Sequence, residues 1–169
     1  MLLLDQVPRN CYRADAASIA FKVFDPLAQQ VTLAAMEQGI PDVLPELRWS
    51  FARRMWFYLP LMHSEDQAEH DLATAKYAAM QTDMLSLIPG EEGAKLEAEN
   101  EHHREALRVV GSNGEVAKQL AQVQVEFEKK HYDIIKQFGR YPHRNKAMGR
   151  EMTAAEQEYL DNGGETFGS

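Results

Sequence analysis

A chain of 169 residues and 19.2 kDa is long enough for one domain with its own core, because single domains cluster at roughly 100–200 residues. Hydrophobic residues at 44% and charged residues at 26% exclude a disordered chain. A formal net charge of -8 argues against nucleic acid as a partner, since proteins that bind it present a basic face.

Met1-Leu2-Leu3-Leu4 meets Asp5 too soon for a signal peptide, and no apolar run approaches the ~20 residues of a membrane span. The expectation is a soluble, cytoplasmic, single domain over 1–169 that touches no membrane. Leu2 to Asn10 reads as the end of a helix whose beginning is missing, as in a short or truncated form; this should leave apolar surface at Leu2, Leu3 and Leu4 and favour a homo-oligomer. Cys11 is the single cysteine, which excludes an intrachain disulfide and reads as a small buried residue. Asp15 can cap a short helix through Phe21, and Asp25-Pro26 is a helix entry, with a side-chain acceptor followed by a residue that needs no N–H donor. That helix stops at Gly39, and the apolar set from Leu44 to Tyr58 suits a short helix packed deep in the domain.

Ser64 and Gln67 form a capping box that opens a helix to about Leu85. Pro89, Gly90 and Gly93 mark a loop, followed by an acidic helix over roughly 91–110, in which His102 and His103 are expected to be solvated. Gly111 to Gly114 turns the chain back into the most periodic helix: Val116, Leu120, Val123, Phe127, His131, Ile134 and Phe138 recur every three or four residues and predict one buried face. It ends at Gly139; Thr153 and Glu156 then form a second capping box, and residues 162–169 are Gly-rich and expected to be loose. No segment alternates over strand length, so the chain reads as all-α, an antiparallel helical array.

Three patches place charged and amide side chains beside Pro or Gly at element ends, where they can be aimed into a shared cleft. They are Asp5 to Asn10, Tyr58 to Asp66, and Phe138 to Asn145 with Gly149-Arg150. Leu3-Leu4-Asp5-Gln6-Val7-Pro8-Arg9-Asn10, Phe24-Asp25-Pro26-Leu27-Ala28, Tyr58 to Asp66 and His131 to Arg150 resemble the motifs of the domain-of-unknown-function family 924, with Met148 in a Leu position. The resemblance covers most of the chain and implies a TPR-like array of antiparallel helices. It implies no settled function. Members usually carry further helices before the first motif, His70 stands where Gln is commoner, and Glu91 to Arg108 resembles an insertion.

Among candidate residues His131 is the sharpest, a histidine on a core face with a proton near the working pH. Lys136 to Arg150 concentrates Lys136, Arg140, Arg144, Lys146 and Arg150 without an acid, and arginine grips carboxylate or phosphate in a fork. The expectation is one pocket for a small anionic molecule. His131, His63 and Asp5 would be its acid/base groups, and Arg9, Glu65, Arg140, His143, Arg144, Asn145 and Arg150 its binding residues. Arg13 could add to the positive set. No phosphate loop, nucleophile elbow or dinucleotide fingerprint is present, so the site reads as cofactor-independent. His63, Asp66 and His70 can share a helical face, but they lack a common ligand spacing and no metal is expected. The competing reading is a TPR-like interaction module, in which the charged cluster is structural.

Overall fold

In a computed structural model that describes residues 1–167, the periodic segments become six helices of two turns or more. These are α1 (Leu2–Cys11), α2 (Asp25–Glu37), α3 (Gln67–Leu85), α4 (Glu101–Gly111), α5 (Gly114–Phe138) and α6 (Ala154–Asp161), joined by shorter helical turns. No strand occurs among the described residues, so the chain is all-α. None of the described helices is long and apolar enough to cross a membrane.

The central pairing is α3 against α5. The two run antiparallel, with His70 meeting Glu128 at one end and Gln81 reaching Gln122 further along. Tyr77, Met80 and Met84 of α3 fill this seam together with Trp49, Tyr58, Leu59 and Met62 from the short helices before it. Each large side chain buried in this way contributes about 1.5–3 kcal/mol.

The face of α5 that packs inward is not the one its apolar spacing predicts. Ala117, Ala121, Gln124, Glu128, His131, Ile134 and Ile135 are buried. Val116, Leu120, Val123 and Phe127 remain 65%, 48%, 57% and 42% exposed, which corrects the expected seam everywhere except at His131 and Ile134, with Phe138 partly buried. The reason is volume: α3 supplies tyrosine and methionine, so α5 meets it with alanine, and the buried Glu128 finds its partners, His70 and Thr74, on α3.

Other expectations are corrected locally. The acidic helix begins at Glu101, because the extended Asn100 caps it by accepting from the His103 N–H. His103 is fully buried and stacks on Trp49 at 4.0 Å between ring centroids. Asp66, not Ser64, caps α3; Ser64 Oγ accepts from the Asp66 N–H one turn earlier. The Thr153 and Glu156 capping box forms as read. Cys11 is exposed rather than buried. Leu2 and Leu3 are exposed as expected. Of the expected tail, Asn162, Gly163 and Glu165 are exposed while Phe167 stacks on His131; residues 168–169 lie outside the described residues.

A closed ionic cluster ties the short helices to α3. Arg54, 2% exposed, donates to Asp83 at 2.6 Å, to Asp42 at 3.1 Å and to the Tyr58 hydroxyl at 2.6 Å. Tyr58 itself donates to Asp42, which also receives Lys76, and Asp83 also receives Arg48. Removing the central cation takes from both carboxylates their buried partner and leaves Asp42 to Tyr58 and Lys76, and Asp83 to Arg48. Arg54→Met is expected to lower the unfolding free energy by about 3–5 kcal/mol, whereas Arg48→Met at the half-exposed rim costs about 1 kcal/mol or less; denaturant melts of the two variants check the difference.

Candidate functional site

The site is assembled from element ends. In α1, Asp5 and Arg9 are one turn apart on the same face, and that face turns inward, with Asp5 buried. Arg9 donates to Asp25 at 2.7 Å and lies 3.4 Å from Asp5. Asp25 opens α2 but does not cap it; its buried carboxylate is shared between Arg9 and Arg144, the latter at 3.5 Å. The expected helix entry is therefore an ionic anchor. Sequence reasoning passed over this role, although Asp25 stands inside a motif that carries the family resemblance.

Arg144 sits in the helical turn Pro142–Arg144, where Pro142 supplies a fixed φ at the first position. It donates to the His63 carbonyl at 3.0 Å, and its guanidinium lies 4.7 Å from the Phe21 ring and 4.2 Å from the Tyr141 ring. Two aromatic faces and one carboxylate thus hold a nearly buried cation. Phe21 belongs to a π-helical turn, Ala20–Phe24, whose extra residue per turn re-aims side chains towards the cavity.

His63 closes the turn Leu59–Met62, and its Nδ1–H donates to the Asp5 carboxylate at 2.7 Å. Burial alone would raise the Asp5 pKa, but His63 and Arg9 outweigh it and hold the carboxyl well below the usual carboxylate range. Burial first, and then the positive charge of Arg9, push His63 below its ordinary value against the pull of Asp5. The imidazole is therefore neutral at neutral pH. Its Nε2 makes no hydrogen bond to any described residue and keeps its lone pair.

Six ångströms away, ring centroid to ring centroid, lies His131 on α5. Its Nδ1–H donates to the Phe127 carbonyl at 2.8 Å, and burial drives its pKa down to about 2. His143 is lowered to about 3, by burial and then by Arg144.

These groups surround a cavity of about 780 Å³. Arg9, His63, His131, His143 and Arg144 line it, and Asp5 stands directly behind His63. Its other cations are Arg13 and Lys146, its one acid is Asp15, and Phe21, Trp56, Leu59, Phe127 and Phe167 supply apolar wall. Glu65 lies instead on a smaller hollow of about 310 Å³ that shares His63 and Arg144 with the first.

Three expected binding residues are elsewhere. Arg140 forms a two-point pair with Glu156 of α6 at 2.5 and 2.8 Å, so the arginine expected to grip an anion fastens a helix. Arg150 forks onto Glu65 at 2.6 and 3.0 Å, while Glu65 also accepts from the Tyr141 N–H at 2.9 Å. Asn145 is fully buried, against Met152. These residues hold the segment 140–150 that presents His143 and Arg144 to the cavity. His70 points into the core, between Glu128 at 3.0 Å and the Ser64 carbonyl at 3.0 Å, and does not join His63 and Asp66.

The aromatic wall escaped sequence reasoning: Trp56 was assigned to the core, Phe127 to a buried seam and Phe167 to a loose tail. No curated protein sequence matches the chain. A solved structure of a protein of unknown function from Agrobacterium tumefaciens is similar at 29% identity and a TM-score of 0.56. The match covers 96% of this chain and 65% of that one, so the chain spans just under two thirds of that protein's length. The pattern described as bacterial protein of unknown function (DUF924) matches residues 1–164. Carrying that pattern over nearly its whole length, including all four motif segments that build the cavity, the chain belongs to the DUF924 family.

Proposed function

We propose that the chain binds a small anion with an apolar body in the 780 Å³ cavity, and exchanges a proton with it at His63 without an organic cofactor. The observation that carries this reading is the Asp5–His63 pair set beside Arg9 and Arg144. A neutral imidazole fixed by a carboxylate presents a base, and the guanidiniums stabilise negative charge as it develops. Four cations against one acid line the cavity, and the apolar wall suits the rest of the ligand. Arg9 Nε, Arg144 Nε and His143 Nδ1 are buried without a partner among the described residues, a cost that is relieved only if these side chains turn toward a ligand oxygen.

Arg13 and Lys146 are exposed and pair with no carboxylate among the described residues, so they test binding without disturbing the buried clamp. Apolar-tailed carboxylates such as hexanoate are expected to raise Tm in the wild type; the neutral alcohol of equal length is not. Replacing both Arg13 and Lys146 with alanine should weaken binding about tenfold, roughly 1.4 kcal/mol, with an unchanged melt in the absence of ligand. His63→Gln should retain binding and lose proton exchange. If no anion protects the chain and the double variant behaves as wild type, the cluster is a structural clamp and the interaction-module reading takes its place.

The neutral state of His131 is open to a separate measurement. Its folded pKa of about 2 lies below the ordinary 6.5, so stability is full above about pH 6.5 and is lost as acid protonates the unfolded chain. Between pH 6 and 4 this one residue should cost about 1.4 kcal/mol per pH unit. His131→Gln should flatten that slope by the same amount. Equal slopes in the two proteins would show that His131 titrates freely.

A further inference from the structure

Phe167 covers the most deeply buried histidine of the cavity. Its ring lies 3.5 Å from the His131 ring, centroid to centroid, with an interplanar angle of 12°. Phe127, Tyr141 and His143 present their rings to it at 5.6, 6.2 and 6.1 Å, with interplanar angles of 78°, 88° and 75°. One stacked face and three edges make a slot for a planar six-membered ring, since edge-to-face contacts favour a π system over an aliphatic chain. The slot opens into the cavity that holds Arg144 and Arg9.

The segment that delivers Phe167 combines a strained backbone with a solvent-exposed ion pair. Phe167 adopts φ +52, a left-handed conformation that is strained for a residue with a Cβ. Its neighbours are fastened by a half-exposed pair, Lys130 with Glu165, and by the Glu165 N–H donating to the Tyr159 hydroxyl. Docking also requires glycine at 164: a Cβ there would stand 2.3 Å from the Tyr159 ring. Lys130, Tyr159 and Glu165 lie outside the cavity wall, so breaking these attachments leaves the histidines and arginines of the site in place.

Building on the anion site proposed above, we infer that this slot is an aryl subsite: the ligand is an aromatic carboxylate or similar aryl anion whose ring stacks on His131, and Phe167 occupies the slot until the ring displaces it. The anionic group then lies toward Arg144 and Arg9, and the neutral His131 serves as a stacking face.

The test uses 3-phenylpropionate and hexanoate, two carboxylates of one charge, titrated calorimetrically into the wild type, Phe167→Ala and Gly164→Ala. The first variant removes the competing ring; the second keeps it and undocks the segment. Both are expected to bind 3-phenylpropionate about tenfold more tightly than the wild type and hexanoate within about twofold of it. In the wild type, NMR signals of the Phe167 ring should move to solvent-exposed positions as 3-phenylpropionate saturates. Weaker or unchanged aryl binding in both variants, or unmoved Phe167 signals, overturns the subsite. Hexanoate binding as well as 3-phenylpropionate in every protein overturns it too, while leaving the anion site standing. No binding of either carboxylate overturns both readings.

Discussion

The carboxylate of Asp25, shared between two guanidiniums, is the constraint on which the site depends. Arg9 reaches it from α1 and Arg144 from the turn after α5. Arg9 also stands beside Asp5, and Arg144 also holds the His63 carbonyl. Four segments distant in sequence are thereby fixed around one buried acid. An uncompensated charge at that depth costs several kcal/mol, so none of these segments can move alone. His63 inherits its orientation from the arrangement, because Asp5 is placed by the same helix that carries Arg9.

Burial has a second consequence for the imidazoles. His63, His131 and His143 line one cavity together with arginines, and both burial and positive neighbours disfavour their charged forms. The cavity therefore holds permanent cations and neutral rings. An anion bound as proposed would meet fixed charge on one side and a base on the other. Protonated histidines would add attraction and remove the base, so their depressed pKa values separate the two roles.

The all-α architecture was legible because it rests on local signals: the Thr153 and Glu156 capping box, the break at Gly139 and the absence of strand alternation. Arg9, His63, His131, His143 and Arg144 could be singled out because each stands in a dense motif at an element end or, for His131, on an apolar helix face. The face of α5 was not legible. Four of its large apolar residues are exposed because Tyr77, Met80 and Met84 leave room only for Ala117 and Ala121, and no single helix encodes its neighbour's volume. The misassignment of Arg140 has a similar cause. A run of arginines without local acids looks unpaired, yet Glu156 arrives 16 residues after Arg140, and Glu65 lies 85 residues before its partner Arg150. Glycine 164 and Phe167 read as flexibility because their contacts with Tyr159 and His131 are tertiary.

Two buried ionic clusters of similar size differ in how completely they are satisfied. Around Arg54, every buried polar side-chain atom of Arg54, Tyr58, Asp42 and Asp83 has a partner, and the short helices are locked to α3. Around Asp25 the main-chain and carboxylate partners are in place, but Arg9 Nε, Arg144 Nε and His143 Nδ1 are left over. Each orphaned atom costs on the order of 1–3 kcal/mol, and here three of them belong to side chains that line one cavity. Replacing either cluster as a whole with packed apolar side chains would serve stability about as well. Retaining the second cluster in a half-satisfied state, with its cations and a carboxylate-backed imidazole turned to one space, is the arrangement that an anionic ligand would complete, and this contrast favours the binding reading over the structural clamp.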